Sequence, residues 1–104
     1  GLLRCRGWLR ESTYRQMGSV QNIADEAIAW GLGVGLVRRH PDIQWHWGDN
    51  DGFKSLALWD KRTGDGLVVL TNSDRGLSLC YDLAAQLTDA DFLEDMAAFI
   101  ETAE

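Results

Sequence analysis

Two short segments, residues 53–59 and 67–71, are apolar on both sides of a strand, and this limits what the chain can fold into more than any other feature. Successive side chains in a β-strand point to opposite faces. In the first segment Phe53, Ala57 and Trp59 stand against Leu56 and Leu58; in the second, Leu67 and Val69 stand against Val68 and Leu70. Continuous apolar runs of this kind mark a sheet covered on both faces. A large side chain left in water forgoes roughly 1.5–3 kcal/mol of burial, so each face requires a layer to pack on it.

The C-terminal third offers one such layer. Ser73 or Asp74 is placed to cap a helix over residues 75–87, with Leu77, Cys80, Tyr81, Ala84 and Leu87 on one side. Thr88 followed by Asp91 has capping-box spacing, with an acid in place of the usual Glu, and opens a last helix carrying Phe92, Met96, Phe99 and Ile100. Two helices cover one face well. The second face is left to the segment at Ser12, to a second copy of the chain, or to a missing portion of a larger parent.

Upstream, residues 12–18 form a short helix capped by Ser12, and residues 19–27 read as a polar connection. From 28 to 38 the pattern reads as one strand, with Ile28, Trp30, Leu32, Val34 and Leu36 on one face and Gly31, Gly33 and Gly35 on the other. A glycine stripe weakens a strand but lets a neighbouring side chain or backbone approach closely. Residues 43–48 place Ile43, Trp45 and Trp47 on one face and Gln44 and His46 on the opposite one. With turns at 49–52 and 60–65, the expected fold is α+β. It is an antiparallel meander of three to four strands covered by C-terminal helices, in a single domain or fragment: helix and connection over 12–27, strands over 28–72, helices over 74–103.

Charge narrows the partners. The chain of 104 residues carries a net charge of −6 with its ten Lys and Arg scattered, which argues against nucleic acid and anionic membrane surfaces. No run approaches the roughly 18 apolar residues of a membrane span. The two cysteines, Cys5 and Cys80, have no metal or C-x-x-C spacing, and Cys80 falls among apolar neighbours as a buried thiol. Gly31-x-Gly33 lacks the third glycine of a dinucleotide loop, because position 36 is Leu. A calcium loop around Asp49, Asn50, Asp51 and Gly52 would need ligands at Trp47 and Leu58. His40, His46 and the nearby acids show no recognised metal spacing, so neither cofactor nor metal is expected.

The order of motifs carries a resemblance. His46-Trp47-Gly48-Asp49 is followed by Gly52-Phe53-Lys54-Ser55, Trp59-Asp60, Thr63-Gly64 and an apolar strand ending Leu70-Thr71-Asn72-Ser73. Thr13-Tyr14-Arg15-Gln16-Met17 and Trp30-Gly31-Leu32-Gly33 precede it. Over residues 12–88 this resembles the C-terminal third of the serine β-lactamase and penicillin-binding-protein superfamily, which includes DD-peptidases and esterases. The resemblance implies a portion of the β-lactamase/DD-peptidase fold, with His46 lining the catalytic pocket, the Asp49 backbone N–H as an oxyanion-hole donor, and Trp47 and Gly48 at the substrate. Trp47 stands where the family commonly has a hydroxyl residue, which favours an esterase, amidase or peptidase acting on a small molecule or peptide over penicillin recognition. The family's Ser-x-x-Lys and Tyr-x-Asn motifs are absent, so the chain alone is expected to be inactive. The alternative reading is a non-catalytic protein-interaction module that binds a partner or a second copy of itself through exposed tryptophans.

Overall fold

The computed structural model describes residues 9–102, and Cys5 lies outside them. Helix α1 (Glu11–Met17) leads into six strands: β1 (Asn22–Ile23), β2 (Ile28–Trp30), β3 (Gly35–Val37), β4 (His40–Asn50), β5 (Phe53–Asp60) and β6 (Gly66–Thr71). Helices α2 (Gly76–Ala84) and α3 (Ala90–Thr102) follow. The strands form one antiparallel sheet in chain order, an α+β arrangement with more strands than the three to four expected.

The extra strands come from the glycines. Residues 28–38 do not run straight: the Gly31 N–H donates to the Val34 carbonyl at 2.9 Å, and Gly33 takes φ 80°, so the segment turns back as the β2–β3 hairpin. Left-handed φ is open to glycine at no steric cost, and this turns a potential long strand into two short ones. Within the expected connection, Asn22 and Ile23 pair with Trp30 and Ala29 to add β1. The remaining glycines allow close approach. A Cβ on Gly35 would lie 2.5 Å from the Trp45 ring, and one on Gly31 would collide with the Met17 carbonyl oxygen.

One face of the sheet carries the core. Ile28, Val37, Ile43, Trp45, Leu56, Leu58 and Val69 meet Leu77, Cys80 and Ala84 of α2 and Phe92, Met96 and Ile100 of α3. Helix α3 lies over β2 and β3, and α2 lies over β5 and β6. Trp45 is fully buried, with ring centroids 5.8 Å from Trp30, 5.6 Å from Trp47 and 6.2 Å from Phe99. Spacings of this order suit tilted and edge-on aromatic pairs. The Cys80 thiol is free and buried, and burial pushes its pKa up.

The helix ends depart from the expected caps. Neither α1 nor α2 has a side-chain N-cap; Ser73 Oγ accepts from the Arg75 N–H, and Asp74 turns instead to the β4–β5 turn. Thr88 Oγ1 donates to the Ala84 carbonyl, and Asp91 accepts from the adjacent Phe92 N–H, so no capping box forms. In each case the short polar side chain satisfies a different backbone group instead.

Among the described residues the second face is covered at one end only. Ala29, Leu36, Gln44 and Trp59 form a row across β2–β5 that is buried, and α1 reaches it: the Leu32 N–H donates to the Met17 carbonyl at 3.1 Å, and a Cβ on Gly18 would strike the Gln44 amide. Beyond that row Val68 is 57% exposed, Phe53 62% and Leu70 81%.

Gly35→Ala is expected to cost about 1–3 kcal/mol, the range for forcing an extra methyl into packed surroundings. Urea unfolding would read it as a lower midpoint at unchanged slope. Trp45→Leu in the same chain should recover part of the loss, a coupling that independent sites would not show.

Candidate functional site

The β4–β5 hairpin presents the residues that the motif order singled out. Its register pairs Gln44 with Trp59, His46 with Ala57, Gly48 with Ser55 and Asn50 with Phe53. Paired residues share a face, so His46, Gly48, Ser55 and Ala57 lie on the side away from α2 and α3, together with Val68 and Leu70 of β6. His46 is exposed there. Its ring lies 6.1 Å from Trp30 and 5.8 Å from Trp47 between centroids. Trp47 itself is half-buried on the core side, 6.0 Å from Phe99. The Ser55 hydroxyl occupies the space where a Gly48 Cβ would project, so the surface beside His46 is backbone and hydroxyl.

β3 covers β4 only as far as the Gly35–Trp45 pair, so residues 46–50 run along a side of β4 that β3 does not reach. The two-residue turn Asp51–Gly52, with φ 81° at Gly52, makes Asn50 and Phe53 the closing hydrogen-bonded pair. Alternation along an antiparallel ladder then directs the Asp49 N–H away from β5, toward that side.

Three contacts fix the hairpin tip. The Gly52 N–H donates to Asp74 Oδ1 at 2.6 Å, Lys54 Nζ is paired with the Asp49 carboxylate, and Thr71 Oγ1 donates to the Lys54 carbonyl at 2.8 Å. Lys54 is thereby committed to the core-side face, opposite Ser55. Among the described residues no serine hydroxyl hydrogen-bonds a histidine or a lysine. A cavity of about 210 Å³ opens between Asn50, Phe53, Lys54, Ser55, Leu70 and Thr71, and another of about 210 Å³ lies by Tyr14, Trp59 and the 60–64 turn. Neither is lined by His46 or Asp49.

A second cluster escaped the sequence reading because its members are some fifty positions apart. His40 Nε2 lies 2.9 Å from Asp91 Oδ1 and its Nδ1 3.9 Å from Asp89 Oδ2, while Arg39 holds Asp95 at 2.9 Å and Asp91 at 3.7 Å. One ligand-type atom from each of His40, Asp89 and Asp91 falls within 4.8 Å of the others. Each imidazole nitrogen already faces a carboxylate, and Phe92 packs edge-on to the ring at 5.9 Å. The chemistry of the cluster is that of an ion-pair network fastening the β3–β4 turn to the start of α3.

Two carboxylates report on acid stability. Partial burial opposes ionisation of Asp91, but hydrogen bonds from His40 and the Phe92 amide outweigh it and hold the carboxyl below its ordinary range. The Arg62 guanidinium does the same for Asp60. A folded-state pKa below the unfolded one gives stability that is present above the unfolded value and lost as pH falls through the folded value. Unfolding curves taken below about pH 4 should therefore show falling stability, and Asp91→Asn or Asp60→Asn should each flatten that fall. Parallel pH profiles for the parent chain and both variants would contradict the assignment.

Comparisons with protein-family models, with curated proteins and with solved structures gave no match, so residues and geometry alone carry the functional reading.

Proposed function

We propose that this chain is the C-terminal portion of a β-lactamase-like serine hydrolase, an esterase, amidase or peptidase whose nucleophile and base lie on residues outside the chain. The observation that supports it best is the placement of His46. It is the one ionisable side chain among the outer-face residues of the central β4–β5–β6 ladder, exposed, beside the side of β4 that β3 leaves uncovered, on a hairpin pinned by Asp74, Thr71 and Lys54.

Each residue has a role in that reading. His46 supplies a proton or a hydrogen bond to the acyl-transfer centre. The Asp49 N–H, aimed along the same side of β4, is one donor to the developing oxyanion, the other coming from the nucleophile's own amide. Gly48 keeps the surface between them low enough for a small-molecule or peptide acyl group to lie against the strand. Trp47 anchors the strand from behind through Trp30, Trp45 and Phe99. A serine becomes nucleophilic only beside a base, and Ser-x-x-Lys and Tyr-x-Asn are absent from the chain. A second reading, a non-catalytic interaction module, draws on exposed Phe53, Val68 and Leu70.

The purified chain is expected to leave chromogenic β-lactams and nitrophenyl esters unhydrolysed; turnover abolished by a serine-to-alanine change within these 104 residues would reverse that expectation. The parent reading frame should encode Ser-x-x-Lys upstream, and without it the interaction module is the better reading. In an intact parent, His46→Ala should lower kcat/KM by about 100-fold or more, the usual scale for a lost general acid–base group, with thermal stability nearly unchanged. Normal turnover per folded molecule with a lowered Tm would make His46 a structural residue.

A further inference from the structure

The two edges of the sheet are built differently. β1 is two residues long, too short to template another strand, whereas β6 runs for six residues, Gly66–Thr71, with no charge, no proline and no bulge. Natural edge strands are blunted by lysine, proline, bulges or shortness, and β6 has none of these. Among the described residues no strand pairs with it on its far side. Every other residue of β6 therefore turns its N–H and C=O outward.

Helix α2, lying over β5 and β6, carries an apolar ridge on the flank nearest that edge. Its Leu77, Cys80 and Ala84 face the core, and Tyr81 points toward α3, donating from its hydroxyl to Glu101 at 3.0 Å. Gly76 is on the opposite flank, packed against Thr71 of β6. Leu83 follows Gly76 by two helical turns and so projects over the β6 side, with Leu79 one turn before it on the outer part of the same flank. Leu79 is 50% exposed and Leu83 38%. A strand edge open to pairing and a leucine ridge above it form one surface, and Val68 and Leu70 continue it on the lower face.

We propose that two copies of the chain pair β6 with β6 antiparallel across a two-fold axis, joining their six-stranded sheets and packing the Leu79–Leu83 ridges of the two α2 helices against each other. Geometry favours a second copy as the occupant. Strands in a sheet are about 4.8 Å apart, and α2 sits over β5 and β6. Rotating that arrangement about the axis places the two α2 axes about 10 Å apart, the distance at which leucine-bearing helices pack. The contact is isologous, each residue meeting its own symmetry mate or a near neighbour. Each copy carries a charge of −6, yet neither β6 nor the ridge contributes to it. This inference rests on the edge and the ridge and is independent of the hydrolase reading.

Sedimentation equilibrium of the 104-residue chain, from low to high micromolar, should show a monomer–dimer equilibrium that holds or tightens as salt rises. Val68→Lys and Leu83→Glu, both at exposed positions, should each weaken the dimer by about 10-fold or more, as central interface residues do, while leaving the circular dichroism spectrum and Tm close to those of the parent chain. Ile23→Lys, on the β1 edge, and Phe53→Lys, on the outer face, should leave the dimer intact. Amide exchange in β6 should slow with rising protein concentration, and exchange in β1 should not. A chain monomeric throughout overturns the proposal and assigns the edge to a strand of another chain. A dimer broken by Phe53→Lys but not by Leu83→Glu overturns it in favour of face-to-face stacking.

Discussion

A sheet that is apolar on both faces cannot be finished by two helices, and most features of this fold follow from that shortfall. Helices α2 and α3 cover one face and bury its residues from Ile28 to Val69. Among the described residues the opposite face receives only α1, seven residues long, which protects the row Ala29, Leu36, Gln44 and Trp59. That is as far as it reaches. His46, Val68 and Leu70 remain on a surface whose composition belongs to an interior, each large apolar side chain there forgoing roughly 1.5–3 kcal/mol. A protein layer on that face, from whatever source, is the arrangement this composition suits.

The close approaches that hold the covered half together depend on glycine. Gly35 lets Trp45 lie flat on β3, Gly31 admits the Met17 carbonyl, and Gly76 brings α2 down onto Thr71. The resulting aromatic group of Trp30, Trp45, Trp47 and Phe99 supports β4 from behind. On the tip side, the Asp74–Gly52 and Thr71–Lys54 bonds tie the β4–β5 hairpin to the loop before α2 and to β6. His46 thus stands on a hairpin braced from two directions.

Alternation and helical periodicity made the centre of the fold legible. β4, β5, β6 and the core faces of α2 and α3 are long enough for period and burial to agree, except at Leu87, which the periodicity places on the core side but which lies beyond the end of α2 and is exposed. The side of β4 on which His46 lies follows from Trp45 and Trp47. The β2–β3 hairpin was not legible, because an Ile-x-Trp-x-Leu-x-Val alternation is indistinguishable from one strand unless Gly33 is known to adopt positive φ. β1 is two residues whose pairing is set by tertiary context. The helix caps failed because Ser73, Asp74 and Thr88 each have a competing partner within reach. The His40 network, assembled from a turn and a helix fifty residues later, has no local signal. As for the candidate site, motif order points to His46 and Asp49, but no local pattern in the sequence shows what would face them.

Charge placement decides what sort of layer could complete the structure. The carboxylates concentrate on α3 and at the sheet's turns, where Arg39 and Arg62 answer several of them. Around Val68, Leu70 and Ala57 the only ionisable outer-face neighbour is His46. A layer seated there therefore needs an apolar surface and gains nothing from complementary charge. It also removes water from around the His46 imidazole, and electrostatic contacts strengthen as water leaves a site. Covering the apolar face and drying the surroundings of the His46 imidazole are, in physical terms, one step.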